Sequence, residues 1–182
     1  MKLIGITGKA GSGKDTAADY LATLGYSKYS MAGPLKAMLR VIGVDCDDRD
    51  TKELPHPVFG VSPRHMAQTL GTEWMRDKVA QDGWIRIAQQ RWVDAQYYAA
   101  ESQPGRFPGL VIPDIRFPDE AAWLRKAGGT LIHIYRPDAV AVKDHISEKG
   151  VPYLLGIDHG VVNGATVAEL HRKIAAILKV IL

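Results

Sequence analysis

The chain has 182 residues, 46% hydrophobic and 24% charged, with a formal net charge of +3. Such a length suits one folded domain with a full core, and the composition excludes a disordered or fibrous chain. Scattered Lys and Arg, no apolar run of membrane-spanning length and a single Cys46 argue against nucleic acid, a bilayer, an internal disulfide and a cysteine-based metal cluster.

The start carries no signal-peptide pattern, so a reduced intracellular setting, the cytoplasm, is expected. Leu3-Ile4-Gly5-Ile6 reads as a short core strand, followed by Gly8-Lys9-Ala10-Gly11-Ser12-Gly13-Lys14. Gly8, Gly13 and Lys14 fit the spacing G-x-x-x-x-G-K of a phosphate-binding loop. Glycines let successive N–H groups turn inward, the next helix adds its positive end, and Lys14 would reach the β- and γ-phosphates. The position after the lysine usually holds a Mg²⁺-binding hydroxyl; here Asp15 stands there and Thr16 follows. A glycine-rich turn without ligand is the plainer alternative.

Ala17, Leu21 and Leu24 recur at helical spacing until Gly25, and Tyr26 to Ser30 alternates like a short strand. Pro34 sits in the first turn of a helix that carries Lys36 and the apolar face Leu35, Met38 and Ile42. Residues 44–61, including the acidic run around Cys46, read as an exposed excursion without metal-site character. Ser62-Pro63 starts a helix with Arg64 and Gln68 on one face, and Gly71-Thr72 interrupts it. Asp82-Gly83 opens another helix with the buried stripe Ile85, Ala88, Trp92 and Ala95, and residues 103–109 form a turn-rich connector.

Leu110-Val111-Ile112 is uniformly apolar, as in a parallel strand buried on both faces. Pro118-Asp119-Glu120 begins a helix that Gly128-Gly129 ends, and Thr130 to Tyr135 is the next strand. Within it His133 reads more readily as a satisfied structural histidine than as a catalytic one. Residues 137–156 have the composition of a movable flap, Ile157 to Val162 is a final strand, and Thr166 with Glu169 forms a capping box for a helix burying Leu170, Ile174 and Ile177. Strands alternating with helices after a phosphate loop imply an α/β fold, a parallel sheet covered on both faces.

Ligands of such sheets lie beyond the carboxyl ends of the strands, which brings Asp114 and Arg116 to the mouth of the phosphate loop. Asp114 is placed to hold Mg²⁺ or its waters, and the planar Arg116 fork suits phosphate oxygens. A surface ion pair between the two is the alternative. Glu120 either orients Arg116, touches substrate or simply favours the helix dipole. For Arg64 and Gln68 an exposed helix face, for Arg136 a plain strand end and for Asn163-Gly164 an ordinary turn remain open.

In order along the chain, Gly8 to Thr16, Ala32-Gly33-Pro34-Leu35-Lys36, Gln68-x-x-Gly71-Thr72-Glu73 and Pro113-Asp114-x-Arg116-x-x-x-Glu120 resemble the bacteriophage deoxynucleoside monophosphate kinases. The set continues through Gly129-Thr130-x-Ile132-His133-x-x-Arg136-Pro137, His145-Ile146-Ser147-Glu148 and Asn163-Gly164, leaving residues 41–62 and 85–109 largely outside it. In nucleoside monophosphate kinases the hydroxyl often stands one residue later, as Thr16 does.

The resemblance implies the three-layer sandwich of P-loop nucleotide-binding proteins: one domain over 1–182, a mostly parallel five-stranded sheet, an acceptor-binding excursion at 44–75 and a mobile lid at 137–156. It implies transfer of the γ-phosphoryl group of ATP, with Mg²⁺, to a deoxynucleoside monophosphate. Lys14, Asp15 and Arg116 would be catalytic. Gly11, Ser12, Gly13, Lys14, Thr16, Arg136 and Asn163 would hold the donor. Asp15, Thr16, Lys36, Arg64, Gln68, Asp114, Arg116 and Glu120 would surround the acceptor, with Thr16 and Asp114 at the metal. A homodimer is left open, and a phage origin would make the host cytoplasm its location. Two rivals remain: another small-molecule kinase of this architecture, for dephospho-coenzyme A or phosphomevalonate, and a nucleotide-dependent switch without turnover. Against the switch, neither Asp-x-x-Gly nor the Asn/Thr-Lys-x-Asp guanine motif occurs in the chain.

Overall fold

The structure is a computed structural model that describes residues 1–48, 50–101, 107–137 and 150–181. Among these, strands β1 (Lys2–Thr7), β2 (Ser27–Lys28), β3 (Gly109–Ile112), β4 (Thr130–Tyr135) and β5 (His159–Val162) form one sheet. Its order is β2-β3-β1-β4-β5, and every neighbouring pair is parallel. The phosphate loop therefore leaves a central strand, flanked on both sides.

Period-two alternation sends neighbouring residues to opposite faces of the sheet, and both faces are covered. Ile4, Ile6, Val111, Ile132 and Ile134 pack against Ala17, Ala18 and Leu21 of α1 (Lys14–Thr23) and Leu170, Ile174 and Leu178 of α6 (Val167–Ile181). The alternate residues Leu3, Leu110, Ile112 and Leu131 are equally buried. On β1 and β4 the helix α5 (Pro118–Lys126) brings buried Ala121 and Leu124. The result is the expected α/β sandwich of helix, parallel sheet and helix.

Two compact units divide the chain, Met1–Ser30 with Ala88–Leu182 and Met31–Ile87. The first contains the sheet. The second contains α2 (Gly33–Val41), α3 (Pro63–Thr69) and the start of α4 (Gly83–Glu101). Its own core joins Leu35, Leu39, Val44 and Trp84, with Met66, Leu70 and Met75 against them. After Thr69 the helix widens to a π-helix over Leu70–Val79, in keeping with the interruption expected at Gly71-Thr72. There Trp84 Nε1 donates to the Gly71 carbonyl at 2.8 Å and pins the wide turns.

Several boundaries differ from the sequence reading. Pairing with β3 extends only over Ser27–Lys28 of the expected Tyr26–Ser30 strand, and β5 starts at His159, not Ile157. Val44, expected in the exposed excursion, is fully buried in the second core. Trp84 joins the buried stripe of α4, and Ala95 is only half-buried. Thr166 accepts the Glu169 N–H at 3.2 Å, but the Glu169 carboxylate pairs with Lys173 at 2.8 Å, so only half of the capping box forms. Most of the expected 137–156 flap (138–149), with the His145-Ile146-Ser147-Glu148 motif, lies outside the described residues, as do Arg49 and 102–106.

Candidate active site

Between β1 and α1 the backbone takes three left-handed or extended glycine conformations, Gly8 at φ 148°, Gly11 at 73° and Gly13 at 102°. Space as well as φ demands two of them. A Cβ on Gly8 would stand 2.3 Å from the Ile134 carbonyl oxygen, and one on Gly13 would stand 2.5 Å from Asn163 Nδ2. The Asn163 amide donates to the Ser12 carbonyl at 2.8 Å, which ties the loop to the connection between β5 and α6. Lys14 Nζ donates to the carbonyls of Gly8 and Lys9, both at 2.7 Å, so its charge stands over the loop. Arg136 reaches the Gly11 carbonyl at 3.5 Å.

A cleft of about 280 Å³ opens at the carboxyl ends of the central strands. Thr7, Gly8 and Lys9 form one wall, Ile115 and Arg116 another, and His133, Tyr135 and Arg136 from the end of β4 a third. Gly150 and Val151 complete the lining. Three cationic side chains, Lys9, Arg116 and Arg136, thus converge beside loop amides, which is what a polyphosphate requires.

Beyond β3, Asp114 accepts the Ser30 hydroxyl at 2.6 Å. Burial pushes the neighbouring Tyr29 hydroxyl up from its ordinary range, and the negative charge of Asp114 adds to the shift. Glu120 is buried, and its Oε2 accepts the backbone N–H groups of Arg116 at 2.8 Å and Phe117 at 3.1 Å. Its first-turn carboxylate thereby caps α5 and fixes the Arg116 backbone at the cleft.

Three comparisons bear on this geometry. Residues 58–174 match the family model described as deoxynucleotide monophosphate kinase. A protein of Acanthamoeba polyphaga mimivirus assigned as a deoxynucleotide monophosphate kinase is 33% identical, over 96% of this chain and 94% of its own length. The chain belongs to the deoxynucleotide monophosphate kinase family. The deoxynucleotide monophosphate kinase of Enterobacteria phage T4 is 25% identical, with all of both chains covered. Among solved structures, an unliganded sugar kinase from a Janibacter species shares the fold with a TM-score of 0.53 at 15% identity, covering 98% of this chain and 95% of that one.

Against the features that the deoxynucleotide monophosphate kinase resemblance implied, the structure brings the loop, Arg116 and Arg136 to one cleft. Asp15 is exposed and lies 3.3 Å from Lys28, which also pairs with Asp19 at 2.8 Å. Although burial opposes it, contact with Asp19 and Asp15 holds the Lys28 ammonium above its usual range. Thr16 lines a separate groove of about 440 Å³ between α1 and α6, together with Asp19, Tyr20, Thr23, Val167 and His171. Lys36, Arg64 and Gln68 belong to the second unit. There Lys36 pairs with Asp47 at 2.6 Å, Arg40 joins the same carboxylate, and Arg64 pairs with Glu53 at 2.8 Å. Burial pushes the Cys46 thiol up, so this lone cysteine is a poor nucleophile.

Sequence reasoning missed Asp158. Its carboxylate is fully buried and accepts Arg125 Nε at 3.0 Å, Arg125 Nη2 at 2.7 Å and the Leu154 N–H at 2.8 Å. His133 Nε2 stands 3.1 Å from it, and the Tyr153 ring packs edge-on against the imidazole. Burial alone would raise the Asp158 pKa; the hydrogen bonds and charge of Arg125, with Leu154 and His133, outweigh it and hold the carboxyl low. Burial pushes the His133 pKa down, with Asp158 opposing in part. His133 is thus a satisfied histidine in the cleft wall, as its position in a strand suggested. No periodicity could announce a carboxylate whose partners come from α5, β4 and the turn before β5.

Proposed function

We propose that the chain transfers the γ-phosphoryl group of ATP to the phosphate of a deoxynucleoside monophosphate in the cleft at the ends of β1, β3 and β4. The reaction class follows from family membership. The observation that carries the site is the convergence of the phosphate loop with Arg116 and Arg136 on that cleft.

A monophosphate whose second pKa is about 6 is already largely dianionic at neutral pH, so its oxygen attacks without a dedicated base. The residues must gather donor and acceptor, offset crowded negative charge and hold both in line. On this reading the N–H groups of residues 11 to 14 cradle the donor phosphates. Lys14 exchanges the carbonyls of Gly8 and Lys9 for phosphate oxygens, a short move for a flexible ammonium. Arg116, its backbone fixed by Glu120, spans the acceptor and the transferred group, and Arg136 closes on the donor side. Lys36, Arg64 and Gln68, which the resemblance assigns to the acceptor, lie in the second unit, where Gln68 carries the amide needed to pair with a base edge. Asp15 tunes Lys28 at the loop's edge.

Mg²⁺ keeps most of its waters and needs only one or two carboxylates besides phosphate oxygens. Asp114, a carboxylate-bearing side chain hydrogen-bonded to Ser30 just beyond β3, fits that requirement. Thr16 fits it less well, because it lines the groove between α1 and α6. Bound there, the ion would neutralise β- and γ-phosphate charge. The test is ADP release with Mg-ATP over all deoxy- and ribonucleoside monophosphates, with dephospho-coenzyme A as a hydroxyl acceptor. Turnover with one or more deoxynucleoside monophosphates is expected; turnover with the hydroxyl acceptor alone would sink the reading.

A further inference from the structure

Lys9, Arg116 and Arg136 give the cleft three fixed cations, and its wall holds a fourth group able to carry charge. His133 stands opposite Thr7 across the β1–β4 ladder, one strand from the start of the phosphate loop. Its imidazole is closed from behind. The Tyr153 ring packs edge-on against it at 5.1 Å between centroids, and Nε2 meets the buried Asp158 carboxylate at 3.1 Å. Asp158 is itself fixed by the Arg125 fork and the Leu154 N–H, and the Tyr153 hydroxyl donates to the Asp158 carbonyl at 3.0 Å. An anionic partner at Nε2 holds the ring in place and keeps the proton on that nitrogen. Nδ1 is then left with its lone pair. Among the described residues it has no hydrogen bond, yet it is not sealed in the protein. The side chain keeps 17% of its surface open, where it forms the wall of the cleft.

We infer that His133, backed by Asp158, is a further phosphate-binding residue: as a polyphosphate enters the cleft, Nδ1 takes one proton from solvent and donates a hydrogen bond through it to a phosphate oxygen. This rests on the proposed phosphate site at the loop. The charges around the ring explain why the proton arrives with the ligand. Burial and Arg125 from α5 oppose a charged imidazole, and Asp158 from the turn before β5 favours it. Lys9 from the loop, Arg116 beyond β3 and Arg136 beyond β4 add cations in the same cleft, which oppose it further. Phosphate oxygens reverse that last effect, because several negative charges then stand among the cations. The Nε2–H stays on Asp158 throughout, and no bond of the ligand breaks.

The test counts protons. Titration calorimetry of the full chain with inorganic tripolyphosphate, near neutral pH in buffers of different ionisation enthalpy, reads the protons taken up on binding. Subtracting His133→Gln removes those that belong to the ligand. A negative charge within ~4–6 Å raises a neighbouring base's pKa by about 1–3, so wild type should take up about half a proton more than His133→Gln. The added affinity is complete below the free His133 pKa and is lost as pH rises through the bound one. Between pH ~6.5 and ~8 wild type should therefore lose about threefold more affinity than His133→Gln. Asp158→Asn, which removes the charge behind the ring, should take up less than wild type. NMR of the six histidine rings reads the same event in wild type alone. The imidazole assigned through its contact with Tyr153 should titrate at higher pH with tripolyphosphate than without it. Equal proton uptake in wild type and His133→Gln would overturn the assignment, and so would an unmoved His133 titration. If that chain still phosphorylates deoxynucleoside monophosphates, the kinase reading stands without His133. A wild-type chain that binds neither tripolyphosphate nor ATP would overturn both.

Discussion

Replacing Asp158 tests how the wall of the cleft is held. Asp158→Ala deletes a carboxylate with no exposed surface and leaves Arg125, itself only 18% exposed, without its bidentate partner. The Leu154 N–H and His133 Nε2 lose the same acceptor. Breaking a buried ion pair from one side costs about 3–5 kcal/mol, because the remaining charge stays desolvated. At about 2–4 °C per kcal/mol for a chain of this size, melting should fall by roughly 6–20 °C. Asp158→Asn keeps the shape and one acceptor for Leu154, and loses the charge-assisted part, about 1.5–3 kcal/mol. The order of stability should therefore be wild type, then Asn, then Ala. Thermal melts and guanidinium titrations of the three proteins check it. Equal melting of Asp158→Ala and wild type would refute the reasoning, since no buried charge could then have been left unpaired.

Protonation gives a second test at the same cluster. Both His133 and Asp158 have folded pKa values below their ordinary 6.5 and 3.8, so the unfolded chain binds protons more readily. Stability is then complete above pH 6.5, falls as pH drops from there through the folded His133 value, and falls again below 3.8 as Asp158 protonates; His133→Gln should flatten the first slope in melts across pH. Gly13→Ala should lose about 2 kcal/mol or more in denaturant titrations, because alanine at positive φ costs ~1–2 kcal/mol and its Cβ displaces Asn163 from the Ser12 carbonyl. Lys14→Ala should melt close to wild type yet show no measurable transfer in ADP-release assays, because the loop glycines remain and only the charge over the phosphates is lost. Arg116→Ala should lower turnover about a hundredfold and raise the monophosphate KM, with Arg116→Lys recovering only part, since an ammonium lacks the planar fork. Wild-type turnover in Arg116→Ala would move the acceptor elsewhere.

What the sequence determined by itself is what lies within a few residues of chain. Gly8 to Lys14 announce a phosphate loop because its conformation depends on local glycines and one lysine, and the structure gives all three glycines the φ values that reading needs. The strand at 109–112 was legible because a uniform apolar run at 110–112 marks a strand buried on both faces, and those at 2–7 and 130–135 because short, mainly apolar runs stand next to glycine turns. Gly25 and Gly128, at φ 92° and 76°, end their helices as their positions implied. The ends of β2 and β5 were not legible, since pairing at a sheet edge depends on how far the neighbour extends. Tertiary structure alone decided the contacts that span the chain. Ser12 meets Asn163 across 151 residues, Ser30 meets Asp114 across 84, and Asp158 meets Arg125 across 33. The same holds for Tyr20 and His171, two aromatic residues unremarkable in their own helices until α1 and α6 stack them. Side-chain identity and spacing encode the backbone's local choices; which distant polar groups then share one buried carboxylate or one groove is settled only when the sheet brings its strand ends together.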